Sequence, residues 1–206
     1  LVLAGNPNSG KTSLFNALTG SKQHVGNWPG VTVEKKEGFV NINGERHTIV
    51  DLPGIYTLDA DTIEQKVARD YIFNGKPDLI INILDATNLR RNLYFTLQLR
   101  ESGIPLIITL NMMDEVNKSG VKIDMDKLSR MLGVPVVGIS ASKGTGIDEL
   151  FNTIDKFKNK EIKIEPFCLG CSNCTKCKSG EFRYHFIDNI ITTCLIRTKH
   201  HTINET

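Results

Sequence analysis

The sequence predicts an α/β domain: a mostly parallel six-stranded sheet with one antiparallel edge strand, flanked by helices, followed by a short cysteine-rich and helical segment. Three observations predict it. Apolar runs of strand length alternate with helix-length periodic segments from residue 1 to about 158. Most of those runs are continuous Val, Ile and Leu without polar alternation, as in strands covered on both faces. One pair of runs is joined by Asn41-Ile42-Asn43-Gly44, whose Asn-Gly is a strong hairpin signal.

Taken in order, the strands are expected at Leu1–Ala4, Gly38–Asn43, Glu45–Leu52, Leu79–Asp85, Leu106–Asn111 and Val134–Ser140. Helices are expected at Lys11–Thr19, Ile63–Asn74, Leu93–Ser102, Met125–Leu132 and Ile147–Lys158, where apolar residues recur at helical spacing. Helices between strands imply right-handed crossovers and parallel pairing; the Gly38–Leu52 hairpin supplies the antiparallel edge. Residues 1–158 read as one domain. Residues 159–206 differ: a charged stretch meets Pro166, a cysteine group follows, and Phe182 to Ile196 looks helical.

The 206 residues are 40% hydrophobic and 23% charged, which fits a folded chain rather than a disordered one. Net charge is +2, so nothing calls for a nucleic-acid or membrane surface, and no nucleic-acid partner is expected. No apolar run approaches the ~20 residues that span a bilayer. The chain opens on a buried strand without Met and closes on a polar stretch, so it is expected to be a domain cut from something longer. Five cysteines, four of them within ten residues, read as a local cluster in a reducing compartment rather than a disulfide framework.

Gly5-Asn6-Pro7-Asn8-Ser9-Gly10-Lys11-Thr12 matches G-x-x-x-x-G-K-[ST] between a strand and a helix. Gly5 and Gly10 let the backbone aim amides at phosphate oxygens, and the helix N-terminus adds partial positive charge. Lys11 would reach the β- and γ-phosphates, and the Thr12 hydroxyl would ligate Mg²⁺. Asp51-Leu52-Pro53-Gly54 ends the third strand: Asp51 can hold Mg²⁺ through water, and Gly54 can offer its N–H to a γ-phosphate. Asn111-Met112-Met113-Asp114 and Ser140-Ala141-Ser142-Lys143 end the last two strands, at the carboxyl edge where open α/β sheets place ligands. The Asp114 carboxylate can accept from guanine N1–H and the exocyclic amine, a donor pair adenine lacks. The Ala141 N–H could meet guanine O6. The nucleotide-contacting set is therefore Gly5, Asn6, Asn8, Ser9, Gly10, Lys11, Thr12, Ser13, Asp51, Gly54, Asn111, Met112, Asp114, Ser140, Ala141 and Ser142.

These ordered motifs resemble the translation-factor-related class of small GTPases, with a P-loop GTPase fold. Val25-Gly26-Asn27-Trp28-Pro29-Gly30-Val31-Thr32-Val33-Glu34, Asp51-Leu52-Pro53-Gly54-Ile55-Tyr56 and the Asn-Met-x-Asp form narrow the resemblance to the ferrous iron transport protein B family. It covers residues 1 to about 158 and resumes at Arg183-Tyr184-His185-Phe186-Ile187, which looks like the start of that family's helical spacer. The resemblance implies GTP and GDP as ligands, Mg²⁺ held by Thr12, Thr32 and Asp51, and slow hydrolysis with Lys11, Asn8, Thr32 and Gly54 as the catalytic set. It implies K⁺ at Asn8, doing the electrostatic work of an arginine finger, since Ile55 stands where Ras-like relatives carry a water-orienting Gln. Met112 stands where most GTPases carry Lys. The resemblance also implies a polytopic membrane domain in the parent chain, with this part on the cytoplasmic face of the inner membrane. The oligomeric state stays open.

Cys168-x-x-Cys171-x-x-Cys174-x-x-Cys177 lies outside that resemblance. The spacing suits one zinc ion or an iron–sulfur cluster, although the fourth cysteine comes one residue early for a ferredoxin run. Cys194 reads as a core cysteine and His200-His201 as solvated. Two other readings stand beside the transporter domain: a soluble potassium-activated GTPase of ribosome assembly or tRNA modification, and a metal sensor built on a G domain.

Overall fold

A computed structural model describes residues 1–20, 23–59, 61–162, 167 and 180–197. The elements in chain order are β1 (Val2–Gly5), α1 (Lys11–Thr19), β2 (Gln23–Asn27), β3 (Glu34–Ile42), β4 (Glu45–Asp51), α2 (Ile63–Asn74), β5 (Ile80–Asp85) and α3 (Leu89–Glu101). They continue with β6 (Leu106–Asn111), α4 (Met113–Lys118), β7 (Val121–Ile123), α5 (Met125–Leu132), β8 (Val136–Gly138), α6 (Ile147–Lys158), α7 (Gly180–Cys194) and β9 (Leu195–Arg197).

The main sheet has seven strands, in the order β2-β3-β4-β1-β5-β6-β8. This corrects the expected six strands with one antiparallel edge. β1 pairs parallel with β4 and β5, and β6 with β5 and β8, whereas β2–β3 and β3–β4 are both antiparallel. The additional strand, Gln23-His24-Val25-Gly26-Asn27, is polar, and its single apolar side chain, Val25, is exposed. It buries no face, so it carries no periodic signal; backbone pairing with β3 alone makes it a strand. The missed two-stranded sheet, β7 with β9, joins segments of three residues far apart in the chain.

Strand alternation divides the core between the sheet's faces. Val2 and Ala4 face α2, α3, α5 and α7, packing in one cluster with Ile72, Leu93, Leu128 and Ile190. Leu3 faces the other way, into a cluster with Leu14 and Phe15 of α1 and Leu150 and Ile154 of α6. Helix α3 begins four residues before the expected Leu93, since Leu89 and Asn92 are buried as well. Thr62 and Gln65 form a reciprocal cap at the start of α2. α7 docks through Ile187, Ile190 and Cys194, all fully buried, and Arg183 makes a paired contact with Glu101 at 2.9 and 2.7 Å. Cys194 sits in the core, as its apolar neighbours lead one to expect. The cysteines at 168, 171, 174 and 177, and His200-His201, lie outside the described residues.

Candidate functional site

The carboxyl ends of β1, β4 and β6 and the turn after β8 meet along one edge of the sheet, and each carries one of the four motifs. The phosphate loop, residues 5–12, leaves β1 and enters α1. Its shape depends on two positions. At Gly10, φ is +86°, and a Cβ there would lie 2.0 Å from Asn111 Nδ2. At Gly5, a Cβ would lie 2.5 Å from the Ile83 carbonyl oxygen. Asn8 also adopts a left-handed conformation, φ 64°, which Asn tolerates better than most residues. Helix α1 starts on Gly10 without a side-chain cap and without an acidic residue in its first turn. Its first amides and dipole are thus presented to an anion rather than consumed by the protein.

Beside the loop is a cavity of about 560 Å³, lined by Asn6, Asn8, Gly10, Lys11, Thr12, Ser13, Gly54 and Met112 among others. A smaller one of about 250 Å³ adjoins it, lined by Lys11, Thr12, Asp51 and Val33. Between the two, Lys11 Nζ donates to Asp51 Oδ1 at 2.6 Å. Burial pushes the Asp51 carboxyl above its usual range, and Lys11 works against that shift. A buried carboxylate and a threonine hydroxyl on one small cavity are hard oxygen donors of the type Mg²⁺ prefers, so the donor set fits that ion. Asn6 and Ser9 turn inward. The Asn6 amide donates to the Arg91 carbonyl at 3.2 Å, and Ser9 Oγ is walled in without a partner among the described residues.

The base end is built on Asn111, which is 3% exposed. Its Nδ2 donates to the Ser9 carbonyl at 3.0 Å, and its Oδ1 accepts from the Ala141 N–H at 2.9 Å. One side chain thus ties the phosphate loop to the 140–143 turn, and the Ala141 N–H assigned to a base oxygen is here given to Asn111. Asp114 is held from both sides. Ser140 Oγ donates to its Oδ1 at 2.8 Å, and Lys143 Nζ lies 2.7 Å from its Oδ2. Lys143, then Ser140, lowers the Asp114 carboxyl to about 2, so it is ionised across the neutral range. Ser142 Oγ stands 3.5 Å from Ser140 Oγ. Lys143, to which the motif alone gives no role, supplies Asp114 with a cation, and Met112 leaves Asn111–Asp114 with none of its own.

The two loops that would sense a γ-phosphate differ from this frame. Gly54 packs on Pro7, a Cβ there being 3.1 Å from Pro7 Cα, and the Ile55 N–H donates to the Gly5 carbonyl at 3.3 Å. Ile55 is 3% exposed and belongs to the core, so its side chain takes no part at the cavities. The Leu58 N–H donates to Gln98 Oε1 on α3 at 2.7 Å, and the Arg91 guanidinium lies 4.4 Å from the Tyr56 ring; neither partner had a signal in sequence. Thr32 is exposed and lines neither cavity; Val33 occupies the wall beside Lys11, Thr12 and Asp51.

The family model described as Ferrous iron transport protein B matches residues 1–164. The chain is 51% identical over 176 residues to the Fe(2+) transporter FeoB of Escherichia coli K12. The chain belongs to the ferrous iron transport protein B family. Its fold is also that of the T. maritima FeoB cytosolic domain. The GDP form II structure has a TM-score of 0.86 at 32% identity, covering 95% of this chain and 98% of that one. The GMPPNP form has a TM-score of 0.85 at 33% identity, with the same shares covered. The E. coli match takes in 83% of this chain but 23% of that transporter, so the chain spans about a quarter of the length of the curated relatives it matches. Among the described residues, no helix is long and apolar enough to cross a membrane.

Proposed function

We propose that this chain binds guanine nucleotide and hydrolyses GTP, as the regulatory part of a larger ferrous iron transporter. The observation that carries the reading is the Asn111 side chain, bonded at once to the phosphate loop and the 140–143 turn. It sets an anion-ready helix end beside a fixed carboxylate, a pairing suited to phosphates at one end and a guanine at the other. The GDP and GMPPNP forms of the T. maritima domain support the same ligands here.

In this reading Lys11 and the first amides of α1 bind the β- and γ-phosphates, and the Gly54 N–H meets the γ-phosphate. Thr12 and Asp51 hold Mg²⁺, joined by Thr32 once that residue turns inward. Bound Mg²⁺ neutralises charge on the β- and γ-oxygens. Asp114, ionised and braced, accepts from the guanine N1–H and amine. Ile55 offers no water-orienting group, so turnover is slow and depends on Asn8 holding K⁺ against the phosphates. The rest of the parent chain is a polytopic membrane domain, with this domain on its cytoplasmic side; apolar spans of about 20 residues beyond residue 206 would support that. The four-cysteine spacing supports a separate zinc or iron–sulfur site, checked by elemental analysis after anaerobic purification.

The test is phosphate release from GTP in K⁺ and in Na⁺ at matched ionic strength, for the parent and for Asn8→Ala. Faster release in K⁺, lost in the variant, is the expected result. No hydrolysis in either salt refutes the catalytic reading, and a K⁺ preference that survives in Asn8→Ala refutes the role of Asn8.

A further inference from the structure

The loop that carries Thr32 is fastened by contacts the nucleotide reading does not use. Trp28 is 8% exposed, although Asn27, Pro29 and Gly30 around it are exposed. Its ring meets Tyr71 of α2 edge-on, with centroids 5.1 Å apart and planes at 70°. Lys35 Nζ lies 5.3 Å from the indole centroid. The loop closes on itself: the Trp28 N–H donates to the Val33 carbonyl at 2.9 Å, and the Val31 N–H donates to the Trp28 carbonyl at 3.2 Å. Val31 and Val33 pack on the same core cluster that holds Trp28, and Tyr71 packs against it too. Thr32, between the two valines, is left exposed.

The seat is imperfect in one respect. Trp28 Nε1 is buried with no hydrogen-bond partner among the described residues. An unpaired buried N–H offsets part of what ring burial contributes, so the docked state is held less firmly than its area suggests.

We propose that Trp28, seated on Tyr71, is a positioning residue that anchors the 28–33 loop with Thr32 held out of the phosphate site. Its release is what lets Thr32 turn in when a γ-phosphate is bound. The proposal rests on the GTP reading above. A ligand shifts such an equilibrium only through contacts made in one of its states. A triphosphate can contact Thr32 only after release, so it favours release, and a diphosphate does not.

Trp28 is the single tryptophan of the chain, so its emission reports this seat directly. The experiment records Trp28 emission and acrylamide quenching with GDP and with a non-hydrolysable GTP analogue in Mg²⁺. Binding of each is followed separately by competition against fluorescently labelled GDP. The expected result is a protected Trp28 with GDP, and a red-shifted, more quenchable one with the analogue. Tyr71→Ala should raise the ratio of analogue to GDP affinity about two- to tenfold, the worth of one aromatic pair, and Tyr71→Phe should not. Equal protection of Trp28 with both nucleotides in the parent overturns the anchor, whatever the variants do. An unchanged affinity ratio in a folded Tyr71→Ala also overturns it. Failure of labelled GDP to bind at all overturns the nucleotide reading instead.

Discussion

The Asn111–Asp114 end of the candidate site and the 28–33 and 55–58 loops are held by different forces. Asn111, Ser9 and Ala141 form a buried hydrogen-bonded brace, and Asp114 is gripped by Ser140 and Lys143. The 28–33 loop instead leans on apolar contacts of Trp28, Val31 and Val33, and residues 55–58 rest on α3 through a few side chains. Breaking a buried hydrogen bond leaves two groups unsatisfied, whereas an apolar contact can slide to another surface at lower cost. The two regions therefore suit different tasks. In the proposed reading, the part that would recognise the base is held by buried hydrogen bonds, and the part that would report the γ-phosphate rests mainly on apolar contacts.

The strongest attempt to break that division is Lys11→Ala, which strikes the junction of both regions. Loss of a preorganised cation at the γ-phosphate should lower turnover about 10²–10³-fold, read by phosphate release. It also leaves Asp51 buried without Lys11, and burial already raises that carboxyl. A raised carboxyl means that the folded state holds its proton more tightly, so folding is favoured as pH falls through that range. Urea unfolding at several pH values should therefore show the variant gaining stability on acidification more than the parent does.

Asn111→Ala sharpens the comparison from the rigid side. It strands the Ser9 carbonyl and the Ala141 N–H, at a cost of about 1–3 kcal/mol in urea unfolding, with weaker nucleotide binding alongside. A loss in binding without any loss in stability would mean that the brace is not the frame described above. Lys143→Gln has the smallest expected effect. The Asp114 carboxyl should rise from about 2 toward the ordinary range. Because a depressed carboxyl must be ionised to help, GDP affinity should hold at neutral pH in the variant and fall off at a higher pH than in the parent. The Asp114 carboxyl signal by NMR, with GDP titrations from pH 4 to 7, would check both.

Much of this was legible in sequence, for a physical reason. β5 and β6, covered on both faces, wrote themselves as Ile- and Leu-rich runs broken only by the buried Asn82 and Thr109 before they end on Asp85 and Asn111, and the four motifs stand at strand ends that meet along one sheet edge. What was not legible lacks such constraints. β2 is polar and held by backbone bonds alone, and β7 and β9 are three-residue segments far apart in the chain that pair only with each other. The motifs named Asn111 and Ala141 but not the bond between them, since either group has a plausible ligand partner instead. Nor could spacing show that Val33 rather than Thr32 walls the cavity beside Asp51; one residue of rotation in a loop leaves no trace in composition.

The claim on which all of this turns is that the braced Asp114 carboxylate reads two donors of a guanine. Displacement of labelled GDP by GTP, ITP and ATP tests it most directly, because inosine keeps the N1–H and lacks the amine. GTP should displace most strongly, ITP more weakly by about ten- to a hundredfold for one lost bond to a charged acceptor, and ATP more weakly still. Equal displacement by ATP and GTP would contradict it.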